Sequence, residues 1–172
     1  MAIILQPERK LALHRGVSVY IRTLYTMNGI TQRIMEGINR LDLTCGRKID
    51  LIVLHCSATP EGRDVSAADI RRWHMHDRKF ADIGYHFVVR LDGTVEAGRP
   101  LSMAGAHCLG YNKRSIGICY VGGADGELRS KDTRTPAQRE ALDLLVGKLR
   151  ERYPEATVRK HRELASTDCP GF

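Results

Sequence analysis

The chain has 172 residues, of which 42% are hydrophobic and 27% charged, the balance of a globular domain with one full core. Its formal net charge of +7 is unevenly distributed. Residues 1–48 hold eight Lys/Arg against three Asp/Glu, whereas residues 49–172 hold nineteen against seventeen. The nearly balanced larger part lacks the basic stripe of a nucleic-acid-binding domain, so we expect no nucleic-acid partner.

Cysteine usage and the N-terminus indicate where the protein is made. The five cysteines are an odd number and include no CxxC pair, which favours a reduced compartment over a disulfide framework. No apolar run approaches the length of a membrane span. The apolar start of the chain is interrupted by polar residues 6–10, so we expect cytoplasmic synthesis without a signal peptide.

Residues 1–46 are predicted to be a basic N-terminal extension. Within it Ile30, Ile34, Ile38 and Leu41 recur at helical spacing, which predicts one short amphipathic helix. Such a helix either packs on the main domain or binds a membrane or a partner, and the pattern leaves both open.

Regular structure is predicted from residue 49 onward. Residues 49–56 are a largely apolar run typical of a strand buried on both faces. Ser66 and Asp69 resemble a capping box that opens a helix, with Ile70 and Trp73 on its inner face. Residues 86–91 and 94–98 flank Asp92-Gly93, the signal of a β-hairpin.

The second half continues the alternation of strands and helices. Residues 115–121 predict another apolar strand, and residues 124–134 a surface loop. Thr135, Pro136 and Gln138 then mark a helix start, followed by an inner stripe that includes Leu145. A short strand is expected near residues 157–159. We therefore predict a single α/β domain, residues 47–172, with a central mixed β-sheet flanked by helices.

Six positions carry side chains suited to chemistry: His55, Tyr85, His86, His107, His161 and Cys169. His55 ends a buried strand, where side chains can line a cleft, and alternation points Cys56 away from it. His161 and Cys169 bracket a loop near the C-terminus. Spacing alone leaves a zinc site and a cysteine–histidine hydrolase with Cys169 as nucleophile both open.

Several motifs in a fixed order add a family resemblance across about 125 residues. The chain resembles the zinc amidases related to phage lysozymes and peptidoglycan recognition proteins, and the phage lysozyme branch most closely. The motifs are Leu54-His55-Cys56-Ser57-Ala58-Thr59, Arg71-Arg72-Trp73-His74, Gly84-Tyr85-His86-Phe87, Asp92-Gly93-Thr94-Val95-Glu96-Ala97-Gly98-Arg99, Gly105-Ala106-His107, Gly110-Tyr111-Asn112, Ser115-Ile116-Gly117, Val121-Gly122-Gly123, Thr135-Pro136-Ala137-Gln138 and the segment from His161 to Cys169-Pro170.

The resemblance implies a specific site and activity. It makes His55, His161 and Cys169 the ligands of one Zn²⁺, with water at the fourth position. It places Tyr85 beside that water as a catalytic residue, and His107 and Asn112 at the substrate. The implied reaction is hydrolysis of the amide bond between the lactyl group of muramic acid and L-alanine in peptidoglycan.

One position departs from the phage lysozyme branch. That branch has Lys two residues before the Cys, whereas this chain has Thr167, as catalytic peptidoglycan recognition proteins do. A hydroxyl donates a hydrogen bond to an oxyanion but brings no positive charge, which would cost on the order of 1–3 kcal/mol of transition-state stabilisation. We expect reduced or differently tuned activity, with Thr167 as the second catalytic residue.

The resemblance also implies the partner and the place of action. The substrate would be peptidoglycan or a soluble muropeptide, the protein a monomer, and the cell wall would be reached after release or transport. The alternative from another class is a peptidoglycan-recognition module without catalysis. Such relatives typically lack a metal ligand, most often the Cys, and Cys169 is present here.

Overall fold

The computed structural model describes residues 29–172, in which three α-helices and seven strands are formed. The helices are α1 (Gly29–Asn39), α2 (Ala67–His76) and α3 (Pro136–Arg152). The strands are β1 (Leu51–Cys56), β2 (Thr59–Pro60), β3 (Phe87–Val89), β4 (Val95–Ala97), β5 (Ser115–Tyr120), β6 (Gly123–Ala124) and β7 (Thr157–Lys160). Every element predicted from residue 49 onward is present, with bounds shifted by at most two residues.

The main sheet has five strands in the order β4-β3-β5-β1-β7. β1 pairs in parallel with both β5 and β7, β3 pairs in parallel with β5, and β4 runs antiparallel to β3. The predicted mixed sheet is therefore confirmed. Because β1 and β7 are parallel neighbours, their carboxyl ends lie at the same edge of the sheet.

A second, two-stranded sheet was not predicted. β2 and β6 pair in parallel through Thr59↔Gly123 and Pro60↔Ala124. Two residues per strand are too few to show an apolar–polar alternation, so no pattern in the sequence marked them. The predicted surface loop at residues 124–134 thus starts inside this small sheet.

The second and third helices start with reciprocal capping boxes, as predicted. Ser66 and Asp69 cap α2, and Thr135 and Gln138 cap α3 with Pro136 at its first position. Gln138 is fully buried, and its side-chain amide donates to the carbonyls of Val89 and Val121. The cap of α3 therefore also attaches this helix to the end of the sheet.

The described part of the N-terminal extension packs on the main domain. α1 buries Ile34 and Ile38 in the same apolar core as α3, while Ile30 remains 49% exposed. Residues 1–28, with the polar interruption at 6–10, lie outside the described residues, and the boundary at residue 46 stays a prediction. None of the helices in residues 29–172 combines the length and the hydropathy that crossing a bilayer requires.

Candidate metal centre

Three of the predicted residues come together at the carboxyl edge of the sheet. His55 is the fifth residue of β1, and His161 begins a short 3-10 turn directly after β7. Cys169 follows eight positions later, where the backbone N–H of Arg162 donates to its carbonyl. One ligand atom from each side chain lies within 4.8 Å of the others.

The spacing fits a single tetrahedral ion. With zinc–nitrogen and zinc–sulfur bonds of about 2.0 and 2.3 Å, a tetrahedral angle places the two donors roughly 3.6 Å apart. The observed distance from His55 Nδ1 to Cys169 Sγ is 3.8 Å. Two imidazoles and one thiol leave the fourth position open, as a hydrolytic zinc site requires.

The protonation states of the three donors suit metal binding in different ways. Burial, with His107 and His161 nearby, holds the pKa of His55 well below its ordinary value, so its imidazole is neutral. Burial also lowers the pKa of His161. The pKa of Cys169 is raised, first by a hydrogen bond with the Cys56 thiol and then by burial. An ion would therefore displace a proton from the sulfur but from neither ring.

The other ring nitrogen of His55 is held by His107. His55 Nε2 lies 3.0 Å from His107 Nδ1, and His107 Nε2 lies 3.3 Å from Ser115 Oγ. If Nδ1 of His55 faces the ion, Nε2 carries the hydrogen and donates to His107, which donates to Ser115. Such a bond on the far nitrogen fixes the tautomer and the ring orientation of a metal-ligating histidine.

Two glycines leave space for the His107 ring because they have no side chain. A Cβ on Gly117 of β5 would lie 2.5 Å from His107 Cδ2, and a Cβ on Gly105 would lie 2.4 Å from the same atom. Both distances are shorter than carbon atoms tolerate. The two glycines are therefore needed for the close approach of the ring beneath His55.

A cleft of about 410 Å³ opens over two of the three donors, His161 and Cys169. Its walls come from β1 and the loop after it, from α2 and from the C-terminal segment: Cys56, Ser57, Ala58, Ile70, Trp73, His74, Asp77, Arg78, Tyr85, His161, Thr167 and Cys169. The predicted catalytic residues Tyr85 and Thr167 thus share one cavity with His161 and Cys169.

Tyr85 and Thr167 both line this cleft. The rings of Tyr85 and His55 have centroids 5.1 Å apart. Burial raises the pKa of Tyr85 well above its ordinary value, so the phenol keeps its proton and can donate it in a hydrogen bond. Thr167 Oγ1 accepts from the backbone N–H of Cys169 at 3.3 Å, which leaves its own O–H free to donate.

The predicted substrate residues make their first contacts within the protein. His107 is 9% exposed and lies beneath His55. Asn112 Oδ1 accepts from the backbone N–H groups of His107 and Cys108, both at 2.9 Å, and closes the loop that carries His107. Neither residue lines the cleft described above, so a substrate contact at either position stays a prediction.

His86 and His74 have structural roles. His86 is 1% exposed; it accepts from the N–H of Gly117 through Nδ1 and lies 3.1 Å from the carbonyl of Met103 through Nε2. His74, buried in the wall of the cleft, accepts from the N–H of Gly84.

The sequence reading missed three residues near the centre. Arg47 donates to the carbonyls of Leu101 and Lys113, both at 2.8 Å, and so holds the loop that carries His107. Arg78 brings a positive charge to the cleft. The backbone N–H of Cys56 donates to Cys169 Sγ at 3.3 Å. The contacts of Arg47 and Cys56 join residues more than fifty positions apart in sequence, and local sequence patterns do not indicate such contacts.

A family model described as N-acetylmuramoyl-L-alanine amidase matches residues 46–172. The chain is 44% identical over 123 residues to the endolysin of Escherichia phage T7, covering 72% of this chain and 81% of that protein. It is 40% identical over 133 residues to the endolysin of Enterobacteria phage K11, covering 77% of this chain and 87% of that protein.

Solved structures support the same assignment. The endolysin N-acetylmuramoyl-L-alanine amidase LysCS from Clostridium intestinale superposes with a TM-score of 0.64 at 29% identity, covering 73% of this chain and 77% of that one. The order of strands, the donor cluster at the sheet edge and these matches agree. The chain is a member of the N-acetylmuramoyl-L-alanine amidase family.

Proposed function

We propose that this peptidoglycan amidase is zinc-dependent and hydrolyses the amide between the lactyl group of muramic acid and L-alanine with water as the nucleophile. His55, His161 and Cys169 would hold the ion. The observation that carries the proposal is the meeting of these three donors within 4.8 Å, from segments more than one hundred residues apart in sequence. A hydrolase with a cysteine nucleophile does not need three such donors around one point, and neither does a recognition module without catalysis.

The bound ion would supply a Lewis acid that polarises the scissile carbonyl and lowers the pKa of a neighbouring water from about 15.7 toward 7. The protein prepares the ligands for it. β1 holds the backbone of His55 rigidly between two parallel partners, and His107 orients its ring. The N–H of Cys56 donates to the sulfur of Cys169 and would partly neutralise a thiolate there.

The hydroxyls of Tyr85 and Thr167 are proposed to donate to the oxyanion that develops on the scissile carbonyl. Both line the same cleft as His161 and Cys169, and Tyr85 keeps its proton because burial raises its pKa. Hydrogen-bond donors aimed at developing charge are typically worth about 3 kcal/mol each. Thr167 donates without a formal charge, which supports the expectation of tuned rather than absent activity.

The wider biological setting is also proposed. The substrate is peptidoglycan or a soluble muropeptide whose amide reaches the open position of the centre through the cleft. His107 and Asn112 remain proposed substrate contacts, which would require their loop to present an edge to the bound peptide. We propose that the protein acts as a monomer on the cell wall after release or transport from the cytoplasm.

Mass spectrometry of digested peptidoglycan tests the proposal directly. Purified protein should release free stem peptides with an N-terminal L-alanine, lose this activity to a chelator and regain it on addition of zinc. Binding to the wall without any released peptide would support the recognition-module alternative. Chelator-resistant cleavage would support a thiol nucleophile, which needs no metal.

A further inference from the structure

Cys56 and Cys169 form a contact that the amidase site does not require. Cys56 ends β1 with its side chain on the sheet face opposite His55, and Cys169 Sγ lies 3.3 Å from its backbone nitrogen. A cysteine side chain is short, so its sulfur stays close to its own nitrogen. Both residues line the same cleft, which an oxidant of small size can enter.

The two side chains are held next to each other, since the Cys56 N–H donates to the Cys169 sulfur and both side chains pack at the same end of the apolar core. The Cys56 sulfur also packs on Gly123, where a Cβ would come within 2.4 Å of it. Cys56 is not among the three donors that lie within 4.8 Å of one another. Its thiol is therefore a neighbour of the candidate centre and not a fourth ligand.

We propose that Cys56 and Cys169 are a redox-modification site at which a hydroperoxide forms an intramolecular disulfide that removes the thiolate ligand from the metal centre. This regulatory role rests on the proposed zinc-dependent function, because Cys169 is the proposed ligand. The disulfide itself requires only the two neighbouring thiols.

The chemistry balances with one peroxide. The Cys169 sulfur, the more exposed of the two, attacks a peroxide oxygen; the O–O bond breaks, and a sulfenic acid and one water form. The Cys56 sulfur then attacks the Cys169 sulfur. The S–O bond breaks, and the leaving hydroxide takes the Cys56 proton to form a second water. The two thiols together lose two electrons, and the peroxide gains them.

The other three cysteines are placed for neither step. Cys108 and Cys119 are 1% and 0% exposed, so peroxide does not reach them in the folded protein. Cys45 lies near the far end of the domain, where its sulfur is 3.3 Å from Tyr153 Oη. Oxidation of the folded chain should therefore be selective for one pair.

The experiment treats chelator-stripped and zinc-loaded full-length protein with hydrogen peroxide and maps disulfides in non-reducing peptide digests. The stripped protein should lose two hydrogens in intact mass, drop from five free thiols to three, and yield a Cys56–Cys169 linked peptide. Reduction should restore zinc binding, measured as metal content. The folded state is followed by circular dichroism throughout.

Matched cysteine variants provide the controls. Cys56→Ser should form no such disulfide and leave Cys169 to oxidise further, to sulfinic acid. Cys108→Ser should behave like the unaltered protein. The proposal is overturned if Cys56 and Cys169 stay unlinked in folded protein, or if either pairs equally with another cysteine.

Zinc loading separates this inference from the proposed function. A bound ion holds the Cys169 sulfur, so disulfide formation should slow by roughly tenfold or more. If loaded and stripped samples react at the same rate and give the linked peptide, the thiol pair stands and the assignment of Cys169 as a zinc ligand is wrong.

Discussion

The two faces of the central sheet are built for different purposes. On one face Ile52, Ile116 and Ile118 are fully buried against α1 and α3 in a continuous apolar core. On the other face the paired positions Val53↔Gly117 and His55↔Cys119 carry smaller or polar groups. The face packed on α1 and α3, here termed the helix-covered face, stabilises the fold by burying apolar area. The opposite face packs on α2 through a smaller apolar cluster and also holds buried histidines.

This difference shows how one strand serves both purposes. Side chains alternate along β1, so Ile52 and Leu54 face the helices while Val53 and His55 face the cleft side. Packing on the helix-covered face makes the backbone of β1 rigid. This rigid backbone also fixes the position of His55, the metal donor on the same strand. Mutations on the helix-covered face should therefore change stability, and mutations on the cleft face should change the metal centre.

The largest expected effect is on the cleft face. Cys169→Ser should lose zinc stoichiometry and peptidoglycan hydrolysis together, by roughly a thousandfold or more in rate, since the hydroxyl is a poor replacement for a thiolate ligand. Metal analysis and release of stem peptides measure the two losses. Full activity in this variant would contradict the assignment of the centre.

The matched change on the helix-covered face is Leu145→Ala. Leu145 of α3 is fully buried, so its truncation should cost about 2–5 kcal/mol of unfolding free energy through lost burial and a residual cavity. Urea denaturation measures the loss. The folded fraction should still bind one zinc. A folded variant that fails to bind zinc would show that the two faces are not separable.

Acid should weaken the cleft face selectively. Burial lowers the pKa of both His74 and His86 to about 4, and each accepts a backbone N–H through Nδ1. Above pH 6.5 both rings are neutral in the folded and in the unfolded protein. As the pH falls from 6.5 to 4, the unfolded state binds the protons first, so stability falls by on the order of 3 kcal/mol for each histidine.

Urea denaturation of chelator-treated protein between pH 7 and pH 4.5 measures this slope. His74→Asn keeps an acceptor near the position of Nδ1 and does not titrate. The variant should therefore show a shallower decline than the unaltered protein. An identical decline would mean that His74 does not contribute to the acid sensitivity.

The smallest expected effect concerns one methyl group under the His107 ring. Gly117→Ala should cost about 1–3 kcal/mol and weaken zinc binding, because the added Cβ displaces His107 from His55. Gly147→Ala is the control, since no atom lies within 4 Å of its added Cβ in α3. Better helix propensity should stabilise that variant by about 0.5–1 kcal/mol.

Calorimetry with zinc titration distinguishes the two glycine variants. Unchanged zinc affinity in Gly117→Ala, together with lost stability, would mean that His107 fills space without orienting the metal ligand.

Much of the architecture was predictable because it depends on local patterns. The capping boxes at Ser66 and Thr135, the turn at Asp92-Gly93 and the apolar runs of β1 and β5 each lie within a few adjacent residues. β2 and β6 have two residues each, which is too short for a recognisable pattern. The helix at residues 29–39 was predicted from its period, but whether it packed on the domain or bound elsewhere was left open.

The sequence by itself determined the helices, the strands of the main mixed sheet and, through the family resemblance of its motifs, the identity of the candidate metal donors. Only the tertiary structure decided that His107 lies beneath His55 and that the Cys56 backbone contacts the Cys169 sulfur. The reason is physical: hydrogen bonds and close approaches between distant segments depend on how strands are ordered and which glycines leave space. Neither property is expressed in the periodicity of a local stretch of chain.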